Sequence, residues 1–61
     1  MELLLTTNET AAILGVQVQT LAMWRLYKRG PRYTKMGRLV KYRRSDIEAF
    51  IERNSVGEVA G

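Results

Sequence analysis

The chain has 61 residues, a net charge of +4 and neither Cys nor His. A chain this short forms one small domain that buries only about 60% of its unfolded surface, and without thiols or imidazoles it lacks thiolate metal sites and the commonest general base. We therefore expect no enzymatic activity, no cofactor or metal and no small-molecule ligand. The apolar run Leu3 to Leu5 is far shorter than the roughly 20 residues that cross a bilayer, so we expect a cytoplasmic protein without a membrane partner.

The first helix is predicted to begin at Thr6-Thr7-Asn8-Glu9, which has the form of a capping box. In this arrangement the Thr6 hydroxyl accepts from the Glu9 amide, and the Glu9 carboxylate accepts from the Thr6 amide. Ala11 and Leu14 lie on the inner face, and Gly15 ends the helix in the left-handed conformation. The periodicity assigns Ile13 to neither face.

A second helix is predicted from about Val18 to Lys28, with Leu21 and Trp24 facing inward. Gly30-Pro31 is its predicted stop, because it combines a left-handed terminator with a residue that cannot continue a helix. Only three residues separate the two helices, a spacing typical of a helix-turn-helix. An ordinary antiparallel helix pair shows similar spacing, so this pattern alone does not decide between them.

After Pro31 the apolar period changes to two, which predicts strands at Tyr33 to Met36 and Leu39 to Tyr42. Gly37-Arg38 joins them as a tight turn. The residues predicted to face inward are Met36, Val40 and Tyr42, and the lysines predicted to face outward are Lys35 and Lys41. Two strands alone are marginally stable, so this hairpin must rest on the helices.

A third helix is predicted from the capping-box sequence Ser45-Asp46-Ile47-Glu48, followed by an inward stripe of Ile47, Phe50 and Ile51. The elements predict a mainly α protein with a small β-hairpin: a winged helix-turn-helix with a two-stranded wing and a C-terminal helix. Residues 1–54 are expected to form this domain, and residues 55–61 a flexible tail.

The segment from Arg25 to Arg44 contains nine of the ten Lys and Arg residues and no Asp or Glu, a local charge of +9. So much charge of one sign repels itself in a folded domain and is normally tolerated for a polyanionic partner. Nucleic acid is therefore the leading candidate, and together with the predicted winged helix-turn-helix we expect double-stranded DNA.

The order of these elements resembles the excisionase-like DNA-binding domains of the MerR superfamily, which include phage excisionases and AlpA-type regulators. The residues that carry the resemblance are Thr6, Glu9, Ala11, Leu14-Gly15-Val16, Thr20-Leu21, Trp24, Gly30-Pro31, Gly37-Arg38, Tyr42 and Ser45-Asp46. The resemblance implies that the second helix enters the major groove and the wing the adjacent minor groove. It also implies cooperative head-to-tail binding, bending of attachment-site DNA and promotion of excision by a tyrosine integrase.

The candidate DNA contacts fall into three groups. Those on the second helix are Gln19, Thr20, Ala22, Met23 and Arg25; those on the wing are Lys35, Arg38 and Lys41; and weaker phosphate contacts are Lys28, Arg29 and Arg43. Gln19 suits adenine, while the Thr20 methyl suits a thymine methyl, as does Met23 unless it serves self-association. Arg38 at the turn suits a narrow minor groove.

Several of these residues have a competing structural interpretation. Arg25, Lys28 and Arg29 also suit the negative end of the second helix, and Arg43 and Arg44 can pair with acids of the third helix. Trp24 is better explained as core than as a base-stacking residue, because a small domain depends heavily on a buried Trp.

The most concrete functional hypothesis is an excisionase, or recombination directionality factor, that binds and bends attachment-site DNA. A small transcriptional regulator on the same fold needs the same groove contacts, so the sequence does not separate the two. An alternative of another class is a protein-interaction module that docks through Ala22, Met23 and Leu26.

Overall fold

The computed structural model describes residues 2–57 and has the predicted winged helix-turn-helix architecture. Its elements in chain order are β1 (Leu4–Thr6), α1 (Thr7–Leu14), α2 (Val18–Leu26), β2 (Thr34–Met36), β3 (Leu39–Arg43) and α3 (Arg44–Arg53). Within residues 2–57 no helix has the length and apolar character required to cross a membrane. The predicted tail lies outside the described residues from position 58 onward, and its flexibility stays a prediction.

The first helix begins and ends as predicted. The Thr6 Oγ1 accepts from the Glu9 amide at 3.0 Å, and the Glu9 carboxylate accepts from the Thr6 amide at 2.8 Å. Gly15 takes the left-handed conformation (φ +71°), and the Val16 amide donates to the Ala11 carbonyl at 3.0 Å. These bonds form a Schellman turn, which satisfies the last carbonyls of α1 and leads directly into α2.

The second helix ends at Leu26, two residues before the predicted end. Lys28 is the left-handed residue here (φ +58°), and the Arg29 amide donates to the Trp24 carbonyl at 2.6 Å. The helix is therefore closed by a Schellman turn centred on a lysine, and Gly30 is not its terminator. The prediction was wrong because it assumed that only the glycine would adopt a positive φ.

Gly30 has a different role: without a Cβ, it leaves room for the Trp24 indole to pack against the backbone. A pair of substitutions should reveal this role. The φ of Gly30 is +80°, and an added Cβ would lie 2.7 Å from Cε3 of Trp24; Gly37 has a φ of +61° with nothing within 4 Å of its added Cβ. Both Gly→Ala changes carry the cost of a left-handed alanine, but Gly30→Ala also clashes with the indole. We expect Gly30→Ala to lower the free energy of unfolding by about 1 to 3 kcal/mol more than Gly37→Ala, measured by urea denaturation. Equal losses would contradict this role.

The sheet has three strands, one more than predicted, in the order β1-β3-β2. β1 pairs antiparallel with β3, so that Leu5 lies opposite Tyr42 and Thr6 opposite Lys41. A three-residue strand shows too little alternation to be detected from sequence, and its partner lies almost forty residues away. The wing is therefore anchored to the N-terminal segment through β3.

The register of β2 against β3 corrects the predicted faces of the hairpin. Val40 is partly buried and Tyr42 is fully buried, so both face inward as predicted. Met36 does not, because it is 43% exposed and pairs with Leu39, which is 60% exposed. Lys35 pairs with Val40, while Lys41 pairs with Thr34. Paired residues share a face, and faces alternate along a strand. Lys35 therefore lies on the face of Val40, and Lys41 lies on the opposite face, as predicted for it. The prediction placed Met36 inward on its apolar character alone and so chose the wrong phase for β2.

The core lies between the sheet and the three helices. Its buried apolar residues are Tyr42, Leu21, Ile47 and Ala11, with Trp24 and Val40 packed against them. The ring centres of Trp24 and Phe50 are 5.5 Å apart, which confirms the predicted structural role of the indole. Ile51, predicted to face inward, is 43% exposed because the buried side of α3 is centred on Ile47.

One buried polar residue was not predicted. Thr10 is fully buried, and its Oγ1 donates to the Thr6 carbonyl at 2.8 Å. Burying a hydroxyl is tolerated when it has a partner, and here the partner is the preceding turn of the chain.

The third helix begins at Arg44, so the prediction of Ser45 as its N-cap was wrong. Ser45 lies inside the first turn, where its amide and its hydroxyl both donate to the Glu2 carboxylate. An acid from the other end of the chain thus accepts from a first-turn amide that has no partner within the helix. The Ser45 amide, the largest contribution, holds the pKa of Glu2 below its ordinary value.

This cap predicts a pH-dependent effect of Glu2→Gln. A carboxyl whose pKa is lowered by folding stabilises the folded chain above its unfolded-state pKa, and this contribution is lost as the pH falls through the folded-state pKa. We expect Glu2→Gln to be less stable than the parent near pH 7 and the difference to shrink towards zero in acid, measured by urea denaturation across that range. A difference of constant size would contradict the cap.

Candidate nucleic-acid interface

One side of α2 is exposed, and it holds three of the predicted base-contacting residues. Gln19, Ala22 and Met23 are exposed, with Met23 at 56%, while Leu21 on the opposite side is buried against the core. Thr20 is partly buried at the edge of this exposed side. The structure therefore brings Gln19, Ala22 and Met23 together on a surface that a partner can approach.

Arg25 is held in place by two aromatic residues. Its Nη1 donates to the Tyr42 hydroxyl at 2.8 Å, and its guanidinium carbon lies 5.9 Å from the centre of the Tyr33 ring. These contacts connect the end of α2 to the wing and satisfy the hydroxyl of the most deeply buried aromatic residue. Arg25 thus has a structural role that the sequence did not reveal, and its predicted DNA contact must use the remaining guanidinium donors.

The loop between α2 and β2 forms a cationic groove. Its charged lining consists of Arg25, Lys28, Arg29 and Arg32. Four cations around one open groove attract a phosphate backbone more strongly than a single surface charge does. Arg32 was not among the predicted contacts, although its place within the basic segment was a signal for it.

Lys28 is unusual within this groove because it is the sole non-glycine residue of 2–57 with a positive φ. A lysine in the left-handed conformation is disfavoured, and such strain is often retained for function. We expect Lys28→Gly to raise the free energy of unfolding by about 1 kcal/mol. The same variant should bind duplex DNA more weakly because it loses one cation.

The two effects of Lys28→Gly have opposite signs, so they can be separated by measuring urea denaturation and DNA affinity on the same sample. Lys28→Asn, which also favours the left-handed conformation, is the matched control. It should lose affinity as well, with a smaller gain in stability. Unchanged DNA affinity in both variants would remove Lys28 from the interface.

The tip of the wing presents Arg38 to solvent. Gly37 adopts the left-handed conformation that the turn requires (φ +61°), and Arg38 and Lys35 are both exposed. The apolar pair Met36 and Leu39 flanks the turn on the sheet face away from Val40. The wing therefore carries a flexible cation at its end, which is the geometry required to enter a narrow groove.

Two of the predicted cations are less available than expected. Lys41 is partly buried and lies close to Glu9, whose pKa is lowered chiefly by the Thr6 amide and to a smaller extent by Lys41. Arg43 is exposed but makes a similar contribution to the lowered pKa of Glu2. The neighbouring Arg44 pairs with Glu48 at 3.5 Å. The sequence suggested such a pair between Arg44 and an acid of the third helix. DNA contacts by Lys41 and Arg43 stay predictions, with acidic neighbours opposing them.

The acids whose contacts are known make those contacts at α1 and α3. Glu2 caps α3, Glu9 caps α1 and Glu48 pairs within α3. No Asp or Glu occurs between residues 10 and 45. The exposed side of α2, the cationic groove and the wing tip thus all come from a stretch of chain that contains no negative side chain.

A model of a family described as a helix-turn-helix domain matches residues 4–55 of this chain. The match includes all six elements of the fold. No curated protein and no solved structure matches.

Proposed function

The chain belongs to the helix-turn-helix family of excisionase- and AlpA-like DNA-binding domains, and on this premise we propose that it is an excisionase within the MerR superfamily. In this role it binds and bends attachment-site DNA and so directs a tyrosine integrase toward excision. One observation supports the DNA binding on which this role depends: the exposed side of α2, a four-cation groove and a wing ending in Arg38 occur in a stretch of chain without acids.

On the duplex, α2 enters the major groove and the wing enters the adjacent minor groove. The groove cations contact the phosphates between them, because phosphate contacts fix the register of a protein on DNA. A single domain of this size covers little DNA, so several copies bind head to tail and cooperatively. Gel shifts that show only independent occupancy of neighbouring sites would contradict this arrangement.

The excisionase role is tested by an excision assay with the integrase of the same genetic element. We expect excision product to appear only when this chain is present. Unchanged excision together with altered output from a nearby promoter would favour a small transcriptional regulator on the same fold.

DNA binding itself is tested by its dependence on salt. If about five phosphates are contacted, the logarithm of the binding constant should fall with the logarithm of salt concentration at a slope near −4 to −5. A protein-interaction module predicts weak DNA binding that hardly varies with salt. That alternative has one observation in its favour, the exposed apolar residues Met23 and Leu26 of α2.

We also propose that the chain acts by binding and not by catalysis, in the cytoplasm. The support for a non-enzymatic role is the absence of Cys and His from the sequence, together with a family defined by a DNA-binding domain. The proposed location follows from the partner, since a recombination site is reached where the chromosome lies.

A further inference from the structure

The exposed side of α2 is mostly apolar, which is unexpected for a helix that faces a polyanion. Its members are Val18, Gln19, Ala22, Met23 and Leu26. Met23 is 56% exposed and Leu26 is 74% exposed. Positions 18, 22 and 26 are four residues apart, as are 19 and 23, so the five form one continuous stripe. Gln19 is the one uncharged polar side chain in it.

This stripe has no partner within the described part of the chain, because α2 packs on the core through its other side. Leu21 on that side is 1% exposed, and Trp24 packs against the same core. The apolar stripe is thus free to contact whatever the surface binds.

The surroundings of the stripe indicate what that partner is. The cationic groove of Arg25, Lys28, Arg29 and Arg32 begins at the C-terminal end of α2, and no acid lies between residues 10 and 45. The cations of this groove would not attract a purely apolar protein surface. A major groove does match it, because thymine C5-methyl groups form apolar patches on its floor between two rows of phosphates.

We propose that α2 recognises thymine methyl groups in the major groove, with Ala22, Met23 and Leu26 as the methyl-contacting residues and Gln19 as the hydrogen-bonding one. The inference rests on the proposed DNA binding and specifies its target: sites with A·T pairs where α2 lies in the groove. Gln19 selects an adenine through its N6 and N7 atoms, and the aliphatic side chains select the thymines beside it.

The test uses a duplex selected from a random-sequence pool by the full chain, and the same duplex synthesised with deoxyuridine in place of thymidine. Deoxyuridine keeps the pairing and the backbone charge but lacks the methyl group. We expect the affinity to fall roughly fourfold for each methyl that is contacted, the value for burying one CH₂-sized group. The slope of affinity against salt should not change, because the phosphate contacts are the same.

Two variants assign the effect to α2. Leu26→Ala should reduce the ratio of thymidine to deoxyuridine affinity, because it removes a methyl-contacting side chain from an exposed position. Ile13→Ala is the matched control on α1, where Ile13 is 55% exposed. It should leave the ratio unchanged.

The possible failures are distinguishable. Tight, salt-dependent binding that is equal for the two duplexes would overturn the methyl inference and leave DNA binding intact. If the chain binds no duplex at all, both the methyl inference and the proposed function are wrong. If Leu26→Ala alters the oligomeric state in sedimentation experiments but not the affinity ratio, the stripe is a contact between copies of the chain and the inference is wrong.

Discussion

Arg38→Glu is expected to lower the affinity for duplex DNA by about 1 to 3 kcal/mol, roughly 5- to 150-fold. The side chain lies exposed at the tip of the wing, next to the left-handed Gly37, and has the reach to enter a minor groove. The negative potential is greatest where this groove is narrow, so a carboxylate there is repelled where the guanidinium was attracted. The measurement is a binding isotherm at several salt concentrations, and the slope should also become shallower by about one unit.

Arg44→Glu is the matched control because it makes the same change in charge on an exposed residue of another element. Arg44 pairs with Glu48 across 3.5 Å at the surface, where such a pair contributes little to stability. We expect this variant to fold and to lose only the small part of the affinity that depends on net charge. Equal losses for Arg38→Glu and Arg44→Glu would show that the wing has no particular role.

Leu21→Ala is expected to destabilise the domain by about 2 to 5 kcal/mol, enough to unfold most of the chain at room temperature. Leu21 is 1% exposed and lies at the centre of the core with Tyr42, Ile47 and Ala11. A chain of this size has little stability beyond this amount. Loss of the helical circular dichroism signal and of the cooperative thermal transition would report the effect.

Leu26→Ala is the control for this prediction, since it is the same substitution five residues further along the same helix. Leu26 is 74% exposed, so its truncation should change the free energy of unfolding by less than about 0.5 kcal/mol. Loss of folding in both variants would mean that α2 tolerates no alanine at either position. Loss in neither would mean that Leu21 is not a core residue.

The parts of the fold that the sequence predicted correctly depend on contacts between near neighbours. The capping box of Thr6 and Glu9 lies within four consecutive residues, and the turn at Gly15 depends on the ease with which glycine takes a positive φ. The exposed side of α2 and the basic loop were predicted for the same reason, because periodicity and charge are local properties. The same local signals placed Arg38 at the hairpin turn.

The parts that were missed depend on residues far apart in the chain. β1 exists because Leu5 pairs with Tyr42, and α3 is capped by Glu2 instead of Ser45. The bond from Arg25 to the Tyr42 hydroxyl also joins distant elements and changes how a predicted contact residue is interpreted. No pattern within a short window contains this information.

The pairing of β1 with β3 has a consequence for the order in which the molecule assembles. The two helices of the turn motif are neighbours in sequence and can pack as soon as both exist, whereas Leu4 must wait for Arg43 to be synthesised. Bringing such distant residues together costs loop-closure entropy, so we expect β1 to pair with β3 after the local contacts have formed. We therefore expect substitutions in β1 to accelerate unfolding more than they slow refolding, so that this strand determines how long the native state persists.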